Sequence, residues 1–156
     1  MINNNFQKYL IQTKELFGNL LFIEEQEKNK FIEYGNRNSK VVFIKTSSSD
    51  IKEKMIFENM LKALKLSMNQ ILIIDLINLS NHKMNNLLKE TQSDIIVILG
   101  LDIAKDILKI NSDLNSLRIN NYTIHNKKVI PTYSLKEMVM DKKFKKYVWS
   151  DLKVIL

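Results

Sequence analysis

The 156-residue chain contains no cysteine, one proline, three glycines and two histidines. Without thiols it forms no disulfide, no thiolate metal site and no cysteine-ligated iron–sulfur cluster. Scarce Gly and Pro, with 45% hydrophobic and 26% charged residues, place it outside collagen-like and disordered compositions. The length fits a single domain with a core large enough to fold unaided. No apolar stretch approaches the roughly 20 residues of a membrane span, and Met1–Phe6 lacks the basic-then-apolar run of a signal peptide. A cytoplasmic protein is expected. His82 and His125 are far apart in polar runs, offer no metal-ligand spacing and read as solvated turn residues. No metal or cofactor is expected.

The net charge is +7, and nearly all of the basic residues are lysine. Part of that excess reflects an AT-rich coding bias, visible also in the abundance of Ile and Asn. Between Lys127 and Lys153, however, eight lysines face only Glu137, Asp141 and Asp151, so this segment holds +5 of the total. It reads either as the solvated side of an amphipathic helix or as a basic face for weak nucleic-acid contact.

The apolar pattern gives the organisation. Phe6, Tyr9, Leu10, Thr13, Leu16 and Phe17 stand at helical spacings before Gly18, a plausible helix stop; Leu20–Ile23 suggests a brief strand. Glu24–Lys30, with Tyr34, Gly35 and Asn36, reads as a connection. Val41–Ile44, Ile71–Ile74 and Ile95–Leu99 are short continuous apolar runs of the kind buried on both faces of a parallel sheet. Between them lie an amphipathic stripe at Phe57, Met60, Leu61 and Leu64, capped by the oxygens of Thr46–Asp50, and a polar-faced helix over 82–91. After Gly100, Ile103, Ala104, Ile107 and Leu108 mark another helix. Leu117–Ile119 and Tyr122–Ile124 suggest a hairpin about Asn120 and Asn121, and Val129–Ile130 a last strand ended by Pro131. Phe144, Tyr147, Val148, Leu152 and Ile155 predict a C-terminal amphipathic helix over 142–155. The alternation predicts an α/β fold, a three-layer αβα arrangement with a mainly parallel central sheet. Residues 1–39 form a leader and connection, and residues 40–156 one domain.

The order of these pieces resembles the uracil-DNA glycosylase superfamily. Asp94–Gly100 with Ala104 and Leu108, then Val129–Tyr133, then Lys146–Lys153 with Trp149, Asp151 and Leu152, follow three motifs of its iron–sulfur branch. The likeness spans roughly residues 40–156 and implies a uracil-DNA glycosylase-like fold. In that superfamily the base is flipped into a tight pocket and the leaving uracil polarised by a His loop. Here Lys45–Ser49 stands in place of the Gly-rich loop. Asp75 stands in place of the uracil-reading Asn; when ionised it accepts hydrogen bonds only, so it lacks the amide donor. Tyr133 is followed by Ser134 and Leu135 instead of His-Pro, and the cluster cysteines are absent. The resemblance thus implies a retained scaffold with a dismantled site at Thr46, Asp75 and Ser134. Taken alone, Asp75 at a strand end reads as a general base, a metal ligand or a loop cap, and Thr46–Ser49 as a phosphate cradle or a helix cap.

Leu61, Ala63 and Leu64, followed by Ser67, Asn69, Gln70, Ile71 and Leu72, and the final helix with Trp149, are also similar to a non-enzymatic family of this fold, the psi subunits of the bacterial DNA polymerase III clamp loader. That resemblance implies no catalytic residue, and clamp-loader subunits and a chi-like subunit as partners. It also implies a docking leader with Phe6, Tyr9, Leu10, Leu16 and Phe17 as partner-binding anchors. The alternatives are a divergent glycosylase acting in DNA repair through other residues and a degenerate paralogue with an unrelated partner.

Overall fold

The computed structural model describes residues 31–77 and 82–156. The helix and strand expected over 5–23 and the five aromatic and aliphatic anchors fall outside these residues. The elements are β1 (Phe31–Gly35), β2 (Val41–Thr46), α1 (Ile51–Ala63), β3 (Ile71–Leu76), α2 (His82–Glu90), β4 (Ile95–Leu99), α3 (Leu101–Leu108), α4 (Leu114–Ile119), β5 (Tyr122–Ile124), β6 (Lys127–Thr132), α5 (Leu135–Met140) and α6 (Lys143–Leu152). Among the described residues no helix is long and apolar enough to cross a membrane.

The fold is α/β, built on one six-stranded sheet of order β1-β3-β2-β4-β6-β5. The four inner strands are parallel and the two edges antiparallel, so the sheet is mixed rather than mainly parallel. Connection length explains both edges. Only residues 36–40 separate β1 from β2, far short of the dozen or more that a parallel crossover needs. Likewise only His125 and Asn126 join β5 to β6, and both take left-handed φ (52° and 63°), as a two-residue hairpin turn requires.

Strand parity sorts the core into two layers. Val41, Phe43, Ile71, Ile73, Val97, Leu99 and Ile130 pack with Phe57 and Leu61 of α1, Leu135 of α5 and Val148 and Leu152 of α6. Their neighbours Val42, Ile44, Leu72, Ile74, Ile96, Ile98 and Val129 pack against Met84, Leu87 and Leu88 of α2 and Ile103 and Ala104 of α3. Burial on both faces is why these strands read as continuous apolar runs rather than alternating ones.

Four local readings need correction. Phe31–Gly35, read as a connection, is edge strand β1; Ile32 and Tyr34 are exposed, so it has no continuous buried run. At its end Gly35 has φ +95° and a Cβ there would lie 2.3 Å from the Ile71 carbonyl oxygen, so the close approach of β1 to β3 demands glycine. The hairpin turns at His125 and Asn126, not at Asn120 and Asn121; residues 114–119 are helix α4, begun by Asp113, whose side chain accepts from the Ser116 N–H and is held below the usual carboxylate range by hydrogen bonding to that residue. Strand β6 continues through Pro131 to Thr132. The alternation set by the Lys128 N–H donating to Asp94 turns the Pro131 nitrogen toward β5, whose ladder ends at Val129, so no ladder bond is lost. Finally, the C-terminal helix is α6 ending at Leu152 with a single 3-10 turn beyond it, and Tyr147 lies on its exposed side.

Leu152 is fully buried while Lys145, on the same helix, faces solvent. Leu152→Ala is expected to cost about 2–5 kcal/mol in urea unfolding, the usual price of such a cavity, and Lys145→Ala less than about 0.5 kcal/mol. Equal losses would mean that α6 presents a different face to the sheet.

Candidate functional site

The strand order reverses between β2 and β4: the chain leaves β2 for β3 on one side and returns past it to β4 on the other. In open α/β sheets the crevice beyond the carboxyl ends of such strands is the natural ligand position. A cleft of about 650 Å³ lies there, lined by Lys45 to Ser48 at the end of β2, Leu99 to Ile103 at the end of β4 and the start of α3, and Ser134 to Glu137 after β6, with Asp50 and Glu53 from the start of α1.

The polar groups of this cleft are largely occupied in holding the loops. Ser134 and Glu137 form a reciprocal capping box on α5: the Glu137 carboxylate accepts from the Ser134 N–H (2.9 Å) and hydroxyl (3.1 Å), while the Ser134 oxygen accepts from the Glu137 N–H (3.1 Å). The Asp50 carboxylate accepts from the Lys52 N–H at 2.8 Å and caps α1, and the Ser48 hydroxyl donates to Glu53. Gly100, at φ +131°, begins α3 without a side-chain cap. Thr46 is exposed at the end of β2. Among the described residues no histidine lines the cleft.

Asp75 is elsewhere. Strand parity turns it to the α1 side, where Lys45 is its register partner on β2. Lys45 Nζ stands 2.6 Å from Asp75 Oδ1, and both side chains are about seven-eighths buried at 13% exposure. That ion pair is the only polar contact of Oδ1 among the described residues. Asp75 lines an adjoining cleft of about 420 Å³ with Tyr34, Phe57, Leu61, Met68 and Ile73; Lys45, Ser48, Glu53 and Leu135 line both clefts, and Lys45 carries its ammonium 5.6 Å from the Phe57 ring centroid. Of the three strand-end positions singled out in the sequence, Thr46 and Ser134 therefore share a cleft and Asp75 does not.

Lys45 is the residue that sequence reasoning missed, seen there only as part of a loop. Its role follows from register across two strands, which no local pattern carries. The Ser134-x-x-Glu137 spacing, by contrast, is a capping-box signature that the sequence does offer.

A second buried pair closes the far side of β6. Asp151 of α6 takes Arg118 of α4 in a two-pronged contact (2.7 and 3.0 Å) and accepts from the Thr132 hydroxyl at 2.6 Å. The Arg118 guanidinium lies against the neighbouring rings of Tyr133 and Tyr147, 4.9 and 5.1 Å from their centroids, and its pKa is raised chiefly by the Asp151 hydrogen bonds. The Tyr133 hydroxyl donates to Asn115 at 2.7 Å. This latch ties α4, β6 and α6 together. His125 sits in the exposed turn, its Nε2 2.9 Å from Asn85 Oδ1, away from both clefts. Lys127 is buried and donates to the Thr91 carbonyl at 2.8 Å.

No protein-family model matches the chain, and no curated protein matches it.

Removing one partner of a buried pair strands the other charge. Lys45→Met is expected to destabilise by about 3–5 kcal/mol, and adding Asp75→Leu to recover most of that loss. Denaturant unfolding of the two single variants and the double variant measures the coupling; simply additive losses would show that the pair is not what holds the two strand ends.

Proposed function

We propose that this chain is a non-catalytic, psi-like accessory subunit of the bacterial DNA polymerase III clamp loader, with a uracil-DNA glycosylase-like fold. It bridges the clamp loader to a chi-like partner during replication. The observation that carries this reading is that polar groups of the former site are engaged in holding the fold: Ser134 caps α5 and the Asp75 carboxylate is paired with Lys45. A base-excision site needs donors that converge on one flipped base. The motifs around Leu61–Leu72 and Trp149 support the accessory role over an unrelated degenerate paralogue. In this reading Phe6, Tyr9, Leu10, Leu16 and Phe17 anchor the leader on the clamp loader.

One observation favours the second reading, a divergent glycosylase acting in DNA repair. The 650 Å³ cleft at the strand-order reversal is large enough for a small ligand and holds Thr46 and Ser134 together.

Two measurements separate them. With protein in excess over uracil-containing single-stranded DNA, no uracil is released, since loss of a single oxyanion-type donor already costs about 10²–10³ in rate. Release abolished by Ser134→Ala would establish the glycosylase. Deleting residues 2–18 is expected to remove capture of recombinant clamp-loader subunits with the melting temperature unchanged. Retained capture, or a collapse in stability, would overturn the docking role of the leader.

A further inference from the structure

The outward face of α6 is organised around one aromatic side chain. Trp149 is 41% exposed at the margin of the buried stripe, next to Val148 and Leu152, which dock the helix on the sheet. At the spacings that share a helix face, Lys142, Lys145, Lys146 and Lys153 surround it, three or four residues apart along the same side. All four are exposed, and among the described residues none has an ion-pair partner. The fifth lysine of the helix, Lys143, lies 3.6 Å from Asp141, and the one carboxylate within α6, Asp151, is turned inward onto Arg118.

This charge works against the helix. At the start of α6 the Asp141 carboxylate accepts from the Lys143 N–H at 3.0 Å, but the first turn itself contains no acidic residue and lysines fill the end where the helix dipole is already positive. Lys142 and Lys146 also repel each other at the i,i+4 spacing. Beyond the Asp141 cap, local stability gives no reason for four unpaired lysines on one face, and a binding role accounts for them.

Beside Trp149 runs a shallow groove of about 140 Å³ between α1 and α6, lined by Ile56, Met60, Met138, Val148 and Leu152, with Asn59 and Lys145 as its polar members. Trp149 lines this groove and remains partly open to solvent. An exposed aromatic ring, an apolar slot beside it and a rim of cations form a stacking platform with phosphate contacts around it.

We infer that the α6 face, with Trp149 at its centre and Lys142, Lys145, Lys146 and Lys153 around it, binds single-stranded nucleic acid. A base stacks on the indole and the lysines meet the flanking phosphates. The lysines alone would suit any polyanion; the exposed indole favours unpaired bases over an acidic polypeptide, because bases in a duplex are already stacked on one another. With almost no hydrogen-bonding group in the groove, binding is indifferent to base sequence. The inference does not depend on the clamp-loader reading, since the leader and α6 are separate parts of the chain.

Trp149 is the only tryptophan in the protein, so its emission reports directly on this face. Titrating the full chain with an oligothymidylate at low salt is expected to quench that emission, and added salt to reverse the quenching. A duplex of equal length quenches several-fold more weakly. Lys146→Glu, on the solvent side of the helix, lowers affinity about tenfold without changing the melting temperature, and replacing any one of the four lysines by Gln reduces the slope of log affinity against log salt by about 0.7. Trp149→Ala loses about five- to a hundredfold, read by anisotropy of a labelled oligonucleotide. Absent quenching by the oligothymidylate, binding unaffected by Lys146→Glu, or equal quenching by polyglutamate each overturns the proposal, the last by identifying an acidic polypeptide as the occupant. Absence of oligothymidylate binding by the unaltered chain alongside intact capture of clamp-loader subunits would refute the nucleic-acid face and leave the accessory role standing.

Discussion

The carboxyl edge of the sheet is organised by one buried ion pair. Lys45 and Asp75 are register partners on adjacent parallel strands, and strand parity points both toward α1. Two charges so far removed from water persist only because each neutralises the other. The pair also determines what the edge can do. It keeps the Asp75 carboxylate bound to its neighbour, where two clefts adjoin along Lys45, Ser48, Glu53 and Leu135.

Much of the fold is legible in the sequence because burial on both faces produces an unmistakable pattern. Val41–Ile44, Ile71–Ile74 and Ile95–Leu99 are all central strands, and each is apolar throughout because helices cover both of its faces. Legibility fails where burial is partial or where a long-range contact decides. Edge strand β1 is half-exposed, and its boundaries are set by pairing with β3. The turn at His125 and Asn126 depends on φ values that Asn120 and Asn121 were equally eligible to supply. The site divides in the same way. That Thr46, Asp75 and Ser134 lie near strand ends follows from local pattern, whereas the partner of Asp75 depends on how two strands separated by α1 align.

Asp151 links the sheet to the second surface of interest. By gripping Arg118 and Thr132 it fixes the rotation of α6, and with it the side of the helix that Trp149 and the lysines present. The inward carboxylate and the outward indole, two residues apart, belong to opposite faces of the same helix. A motif that the glycosylase resemblance identified by its sequence thus has a plain mechanical role here. It orients a surface, and nothing in that role requires catalysis.

The proposed role is that of a non-catalytic binding protein of the replication machinery. Purification of the tagged full-length chain from its native cells, with mass spectrometry of everything that elutes in stoichiometric amount, tests it most directly. The account predicts clamp-loader subunits and a chi-like protein. Recovery of the chain alone, or together with enzymes of base-excision repair, would contradict it.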